Sequence, residues 1–148
     1  MSDHPASGAS PIESIRLITR LSYTKSARSF QATSLPGHLL HLVLSGEVKQ
    51  TCNGRQQHLR SGCVVWYHED EWVEGQVIKA PWVYYTVNFS APSLAPPDFN
   101  SRLIPNQLHL KDAFVALHDN WHQPPSRQRD FQCQARLLDL ISAIDPEI

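Results

Sequence analysis

The chain has 148 residues, 41% of them hydrophobic, with a formal net charge of −1 at pH 7. That length supports a single folded unit rather than two independent ones, and the balanced charge argues against a basic face for nucleic acid or an anionic membrane. No apolar run is long enough to span a bilayer and the first fifteen residues lack a signal-peptide core, so a soluble, cytoplasmic protein is expected.

Residues 1–11 (MSDHPASGASP) are small and polar and read as a flexible N-terminal arm. Order begins near Ile12. From Ile15 to Tyr23 the pattern alternates, with Ile15, Leu17, Thr19, Leu21 and Tyr23 on one face, interrupted only by Ile18. After a polar stretch, Leu39–Leu44 is apolar on both faces except for His41, as in a strand covered on two sides. Turn signals then recur at Ser45-Gly46, Asn53-Gly54, Ser61-Gly62 and Glu74-Gly75, dividing residues 38–89 into short strands. Asn53-Gly54 is the strongest hairpin signal. Strands are expected over 48–51, 56–60, 63–67 and 82–89. This cadence predicts a small antiparallel barrel able to hold a small molecule.

In the last strand Trp82, Tyr84, Thr86 and Asn88 share one side, and Val83, Tyr85, Val87 and Phe89 the other. One side can fill a core while the other lines a polar pocket. The three prolines Pro92, Pro96 and Pro97 end strand formation, so 12–92 reads as the barrel and 93–107 as a linker. Helical spacing follows, first over 108–121 through Leu110, Phe114, Leu117 and Trp121, then over about 128–144 through Phe131, Ala135, Leu138 and Ile141. Leu137, Leu138, Ile141 and Ile144 make the second stripe wide for a terminal helix. It either packs deep against the barrel or meets another copy of itself.

The order of LVLSGEVKQ, NGRQQHLRSGCVVWYHEDEW, WVYYTVNFSAP, LHDNW and LLDLISAI resembles the N-terminal effector-binding and dimerisation domain of AraC-family transcriptional regulators. The resemblance covers about 35–144. It implies a mainly β fold, a cupin-like antiparallel β-barrel (double-stranded β-helix) followed by a two-helix C-terminal tail, with 108–148 as the helical dimerisation segment. It also implies a homodimer, a small-molecule effector, and DNA contact only through a helix-turn-helix domain outside these 148 residues, so the chain is expected to be part of a longer protein. In that family effector contacts come from the last barrel strand and from the strand after the second glycine turn. Carried over, these are Trp82, Tyr84 and Thr86, with Trp72, Glu74 and His41 behind them. The dimer contacts fall on Leu137, Leu138, Ile141 and Ile144.

Many cupins are metal enzymes. Counting back from Gly46, however, the acidic ligand position falls on Leu39 and the paired histidine positions on Thr33 and Leu35 or on Ala32 and Ser34; counting forward from Gly62, the last falls on Val73. Leu, Val and Ala cannot replace imidazole or carboxylate. His38, His41, His58 and His68 could assemble a different site, but each reads better as a hydrogen-bonded or solvent-facing histidine. A stand-alone metal-dependent isomerase or dioxygenase is therefore the alternative, and no metal, no cofactor and no catalytic residue is expected. No Gly-x-Ser-x-Gly elbow is present. Cys52, Cys63 and Cys133 read as buried reduced thiols, and the charged run Glu69, Asp70 and Glu71 as solvated. Tryptophan and tyrosine walls suit a sugar or an aromatic acid equally.

Overall fold

The computed structural model describes residues 10–25 and 28–144; most of the expected N-terminal arm, and residues 145–148, lie outside them. Seven strands precede two helices: β1 (Ser14–Tyr23), β2 (Ser29–Thr33), β3 (His38–Cys52), β4 (Arg55–Arg60), β5 (Val64–His68), β6 (Trp72–Ser90), β7 (Leu103–Ile104), α1 (Lys111–Trp121) and α2 (Arg127–Ile144). The fold is mainly β, antiparallel and cupin-like, with the helices after the strands.

Two long strands, β3 and β6, pair with each other almost throughout and run through both halves of the barrel. In one half the order is β1-β6-β3-β5-β7; in the other, β2 pairs the start of β6 and β4 the end of β3. The halves join where β3 and β6 lose register, between Val43 and Val48 on β3. Gly46 sits at this bend with φ of 90°, and a Cβ there would stand 2.5 Å from the Pro81 carbonyl oxygen and 2.6 Å from that of Lys79. Only glycine tolerates both the left-handed backbone and the close approach.

Ser45-Gly46 and Glu74-Gly75 are therefore not turns. Each lies inside a continuous strand, Gly46 as a bend in β3 and Gly75 as a point of close backbone approach to Lys49 and Gln50 in β6. Asn53-Gly54 does close the β3–β4 hairpin, with φ positive at both residues as a type I′ turn requires. Ser61-Gly62 turns as expected.

Side-chain alternation on the first half feeds two cores. Leu40, Leu42, Val64, Trp66, Tyr85, Val87 and Phe89 face α1 and α2, where they meet Phe114, Leu117, Leu137, Leu140, Ile141 and Ile144. Leu39, Val43, Val65, Tyr67, Trp82 and Tyr84 face inward to meet Val48, Leu59, Val73 and Val77 of the second half. Ile18, an interruption in the sequence pattern, is the deeply buried residue of β1, while Leu17 is exposed. A register shift between Ile15 and Leu17 puts Ile15 and Ile18 on the helix side together.

The stretch 93–107 is not a loose tether. Its Arg102 is buried and forms two hydrogen bonds to the Glu71 carboxylate, 2.9 and 3.0 Å, and one to the Pro97 carbonyl, 2.7 Å. The backbone N–H of His68 also donates to Glu71 at 2.7 Å. Glu71 is thus a buried, fully paired carboxylate rather than part of a solvated run. The three cysteines are free and buried, as expected, and burial raises the thiol pKa of both Cys52 and Cys63 to about 11.

Replacing Gly46 by Ala is expected to cost about 2 kcal/mol or more of unfolding free energy, backbone strain and clash together. Gly54→Ala, at a hairpin tip where a Cβ meets nothing within 4 Å, should cost only about 1 kcal/mol. Urea unfolding measures both, and equal losses would show that the bend accepts a side chain.

Candidate effector cavity

Between the two halves lies a cavity of about 280 Å³, lined by Tyr23, Arg28, Phe30, Gln31, Ala32, His41, Gln50, Leu59, Tyr67, Val77, Trp82 and Tyr84. Its walls come from inward positions of β1, β2, β3, β4, β5 and β6 and from the segment entering β2. A larger depression, about 850 Å³, carries Lys49, Thr51, Gln56, His58 and Glu74 on the outside of the second half. That surface is open to water, and a ligand there would keep most of its hydration, so the enclosed cavity is the candidate site.

Three of the sequence-derived candidates line this cavity together. The His41 ring stacks on Tyr84, with centroids 4.6 Å apart, and meets Tyr67 edge-on at 5.1 Å; Trp82 lies 5.4 Å from Tyr84. Thr86 faces the same way and pairs with His41 in register, but it is buried beside the cavity rather than lining it. Trp72 and Glu74 are not brought there. Alternation along β6 points Val73 and Val77 inward, so Trp72 (44% exposed) and Glu74 stand on the outer face, where Glu74 meets Gln31. Reading Gly75 as a turn concealed this, because a turn would have reset the alternation.

The polar groups of the cavity differ in how far they are satisfied. Gln50 donates to the Tyr67 hydroxyl and to the Gln57 amide oxygen, each at 2.8 Å. Burial pushes the Tyr67 phenol up, and burial together with neighbouring Tyr23 does the same for Tyr84, so both stay protonated. His41 makes ring contacts but no hydrogen bond among the described residues. Desolvation pulls its pKa down from 6.5 to about 3, leaving a neutral imidazole with one donor and one acceptor open to the cavity. His38, by contrast, is closed: Trp66 Nε1 donates to its Nδ1 at 3.0 Å and its Nε2 reaches the Ala91 carbonyl at 3.3 Å. Tyr23, Arg28, Phe30, Gln50 and Tyr67 were not singled out in the sequence. Tyr67 was recoverable, since it alternates with Val65 in an apolar strand, whereas Arg28 sits in a polar stretch without periodicity.

The dimer candidates Leu137, Ile141 and Ile144 are buried within the chain itself, against the outer face of the first half. Leu138 is half-buried. The wide stripe of α2 is thus explained by deep packing on the barrel. Among the described residues no group of three His, Cys, Asp or Glu side chains is placed to hold a metal ion, and no helix is long and apolar enough to cross a membrane.

A family model described as the AraC-like ligand binding domain matches residues 17–141. No curated protein matches the sequence. Among solved structures, ToxT from Vibrio cholerae bound to an unsaturated fatty acid superposes with a TM-score of 0.54 at 10% identity, over 89% of this chain and 55% of that one. ToxT bound to (E)-4-(8-methylnaphthalen-1-yl)but-3-enoic acid gives 0.54 at 11% identity, over 87% and 57%. A cupin protein from Bacteroides fragilis gives 0.43 at 16% identity, over 53% and 69%. The chain thus spans little more than half the length of ToxT.

Neutral His41 makes stability depend on pH. In the unfolded chain the imidazole takes up a proton near 6.5, while the folded chain resists protonation down to about 3. Unfolding free energy should therefore hold above pH 6.5 and fall below it, this residue contributing about 1.4 kcal/mol of loss per pH unit. His38, lowered chiefly by burial and then by His68, adds in the same direction. In urea titrations from pH 7.5 to 4.5, His41→Gln should shallow the slope. An unchanged slope would mean that His41 protonates freely in the fold.

Proposed function

The chain belongs to the family of AraC-like ligand-binding domains, and from that premise we propose that it is the effector-sensing part of a transcriptional regulator. A small organic molecule is held between the two halves of the barrel. The observation that carries this reading is the partly enclosed, ring-walled cavity with the imidazole of His41 in its wall and not hydrogen-bonded to any described residue. His41 is half-buried, so its ring nitrogens can reach what occupies the cavity, and a ligand hydrogen bond there takes the place of one to water. Trp82, Tyr84 and His41 are the proposed contacts, with Thr86 supporting His41 from the adjacent position.

The alternative, a metal-dependent enzyme, draws little support from the cavity wall. Its donors are one histidine, amides and phenols held protonated by burial, whereas divalent ions need several imidazoles or carboxylates. We favour binding over catalysis on that chemistry. A cytoplasmic setting suits three free thiols.

The route from cavity to regulator runs along β6. Tyr84 lines the cavity and Thr86 lies beside it on the same side of β6, while their neighbours Tyr85 and Val87 pack toward the helices, Tyr85 touching His118 of α1 edge-on at 5.3 Å. A ligand that shifts Tyr84 must shift Tyr85. We infer that the helices pass this change to a second copy and to a DNA-binding part of the longer protein. On α2 the side left for a second copy carries Phe131, Ala135 and Leu138.

Thermal-shift screening of the purified chain against small organic molecules should find compounds that raise Tm. For any such compound, Tyr84→Ala should weaken binding about tenfold or more through lost ring contact; an unchanged affinity would place the ligand elsewhere. Sedimentation should show a dimer that Leu138→Glu weakens, and a monomer at all concentrations would remove the pairing.

A further inference from the structure

The charge inventory of the cavity narrows what it can take, on the reading of that cavity as the effector site. Among the described residues Arg28 is the only cation in the lining, and neither Asp nor Glu lines it. Its backbone is anchored, the carbonyl accepting from the Val77 N–H at 2.8 Å. Its guanidinium lies over the Tyr23 ring, 4.1 Å from the centroid, and forms no ion pair among the described residues. Arg28 is exposed, so its guanidinium stands at the rim of the cavity, whereas the buried Arg102 is taken up by Glu71. A guanidinium laid on a ring at the rim of a cavity, with no carboxylate partner among the described residues, is placed to meet a carboxylate that enters.

The walls supply the rest of the description. Tyr23 and Tyr84 are stacked with centroids 6.3 Å apart, and Trp82 and the His41 ring continue the aromatic surface around Tyr84. Such a surface favours a flat partner by offset stacking. A sugar carries a hydroxyl on nearly every carbon, each needing a partner once dehydrated, yet Gln50 already directs its amide nitrogen to Gln57 and Tyr67, and apart from Arg28, Gln31, His41 and the tyrosine hydroxyls the wall is ring and hydrocarbon. A cationic ligand meets Arg28 and no counter-charge. We propose that the molecule taken by this cavity is an aromatic monocarboxylate of one or two rings, its carboxylate held by Arg28 and its ring seated among Tyr23, Tyr84 and Trp82. Because His41 stays neutral, it offers a hydrogen bond without adding charge.

The test is calorimetric titration of the purified chain at pH 7.5 and low salt with 4-hydroxybenzoate and indole-3-acetate, their primary amides, octanoate, benzylamine and L-arabinose. The aromatic acids should bind, and their amides about tenfold more weakly. Arg28→Gln should lower acid affinity to the level of the amides and leave the amides unchanged, with Arg28→Lys recovering part of the loss. Circular dichroism checks that each variant is folded. Tighter binding of arabinose, benzylamine or octanoate than of the aromatic acids, or acid affinity indifferent to Arg28→Gln, overturns the ligand class while leaving the cavity as a binding site. If no probe binds either the native chain or its variants, both the class and the effector reading of the cavity fall.

Discussion

Two-residue alternation along β3 and β6 is the constraint on which the rest of the molecule depends. In the half of the barrel that carries the helices both faces of these strands are covered, so each residue belongs either to the helix-facing core or to the interior, and its neighbour belongs to the other. A slip of one residue would exchange Trp82, Tyr84 and Thr86 for Val83, Tyr85 and Val87. The bend at Gly46 protects this arrangement, because it absorbs the change of direction between halves in a residue with no side chain to misplace. Ring-bearing residues can then be given to the cavity without opening the core beneath the helices.

Buried polarity in the fold falls into two kinds. Glu71 with Arg102, and His38 with Trp66 and Ala91, are closed networks in which the donors and acceptors find partners inside the chain. Removing one member would leave the other uncompensated, so these groups fix structure: the first ties 93–107 against the barrel, the second locks the start of β3 to β5 and to the end of β6. His41 and Arg28 are of the other kind. Each is held by ring contacts, and neither side chain hydrogen-bonds another described residue.

The same alternation ties the interior to the helix side. Neighbouring strand residues share one backbone, so Tyr84 in the interior core and Tyr85 in the helix-facing core are held by the same segment of β6. Deep burial of Leu137, Ile141 and Ile144 makes α2 part of the same packed unit rather than an appendage.

Much of this was legible in the chain itself. Period-two runs ending at Phe89 and period-3.6 runs after it specify strands first and helices second, Asn53-Gly54 specifies the hairpin, and the grouping of Trp82, Tyr84 and Thr86 on one side of a strand follows from its geometry alone. These are local properties, set by backbone sterics and by the need to hide apolar side chains. Whether Gly46 and Gly75 turn the chain or let two strands approach, whether Glu71 is solvated or paired, and whether α2 packs inward were decided by partners distant in sequence: Pro81, Gln50, Arg102 and the outer face of β6. Arg28 became a feature of the cavity only when the chain entering β2 was bonded to Val77 and its guanidinium came to rest on Tyr23. A sequence states which side chains alternate; only the closed fold states which of them are left without a partner, because satisfaction of a charge or a hydrogen bond depends on what arrives from elsewhere in the chain.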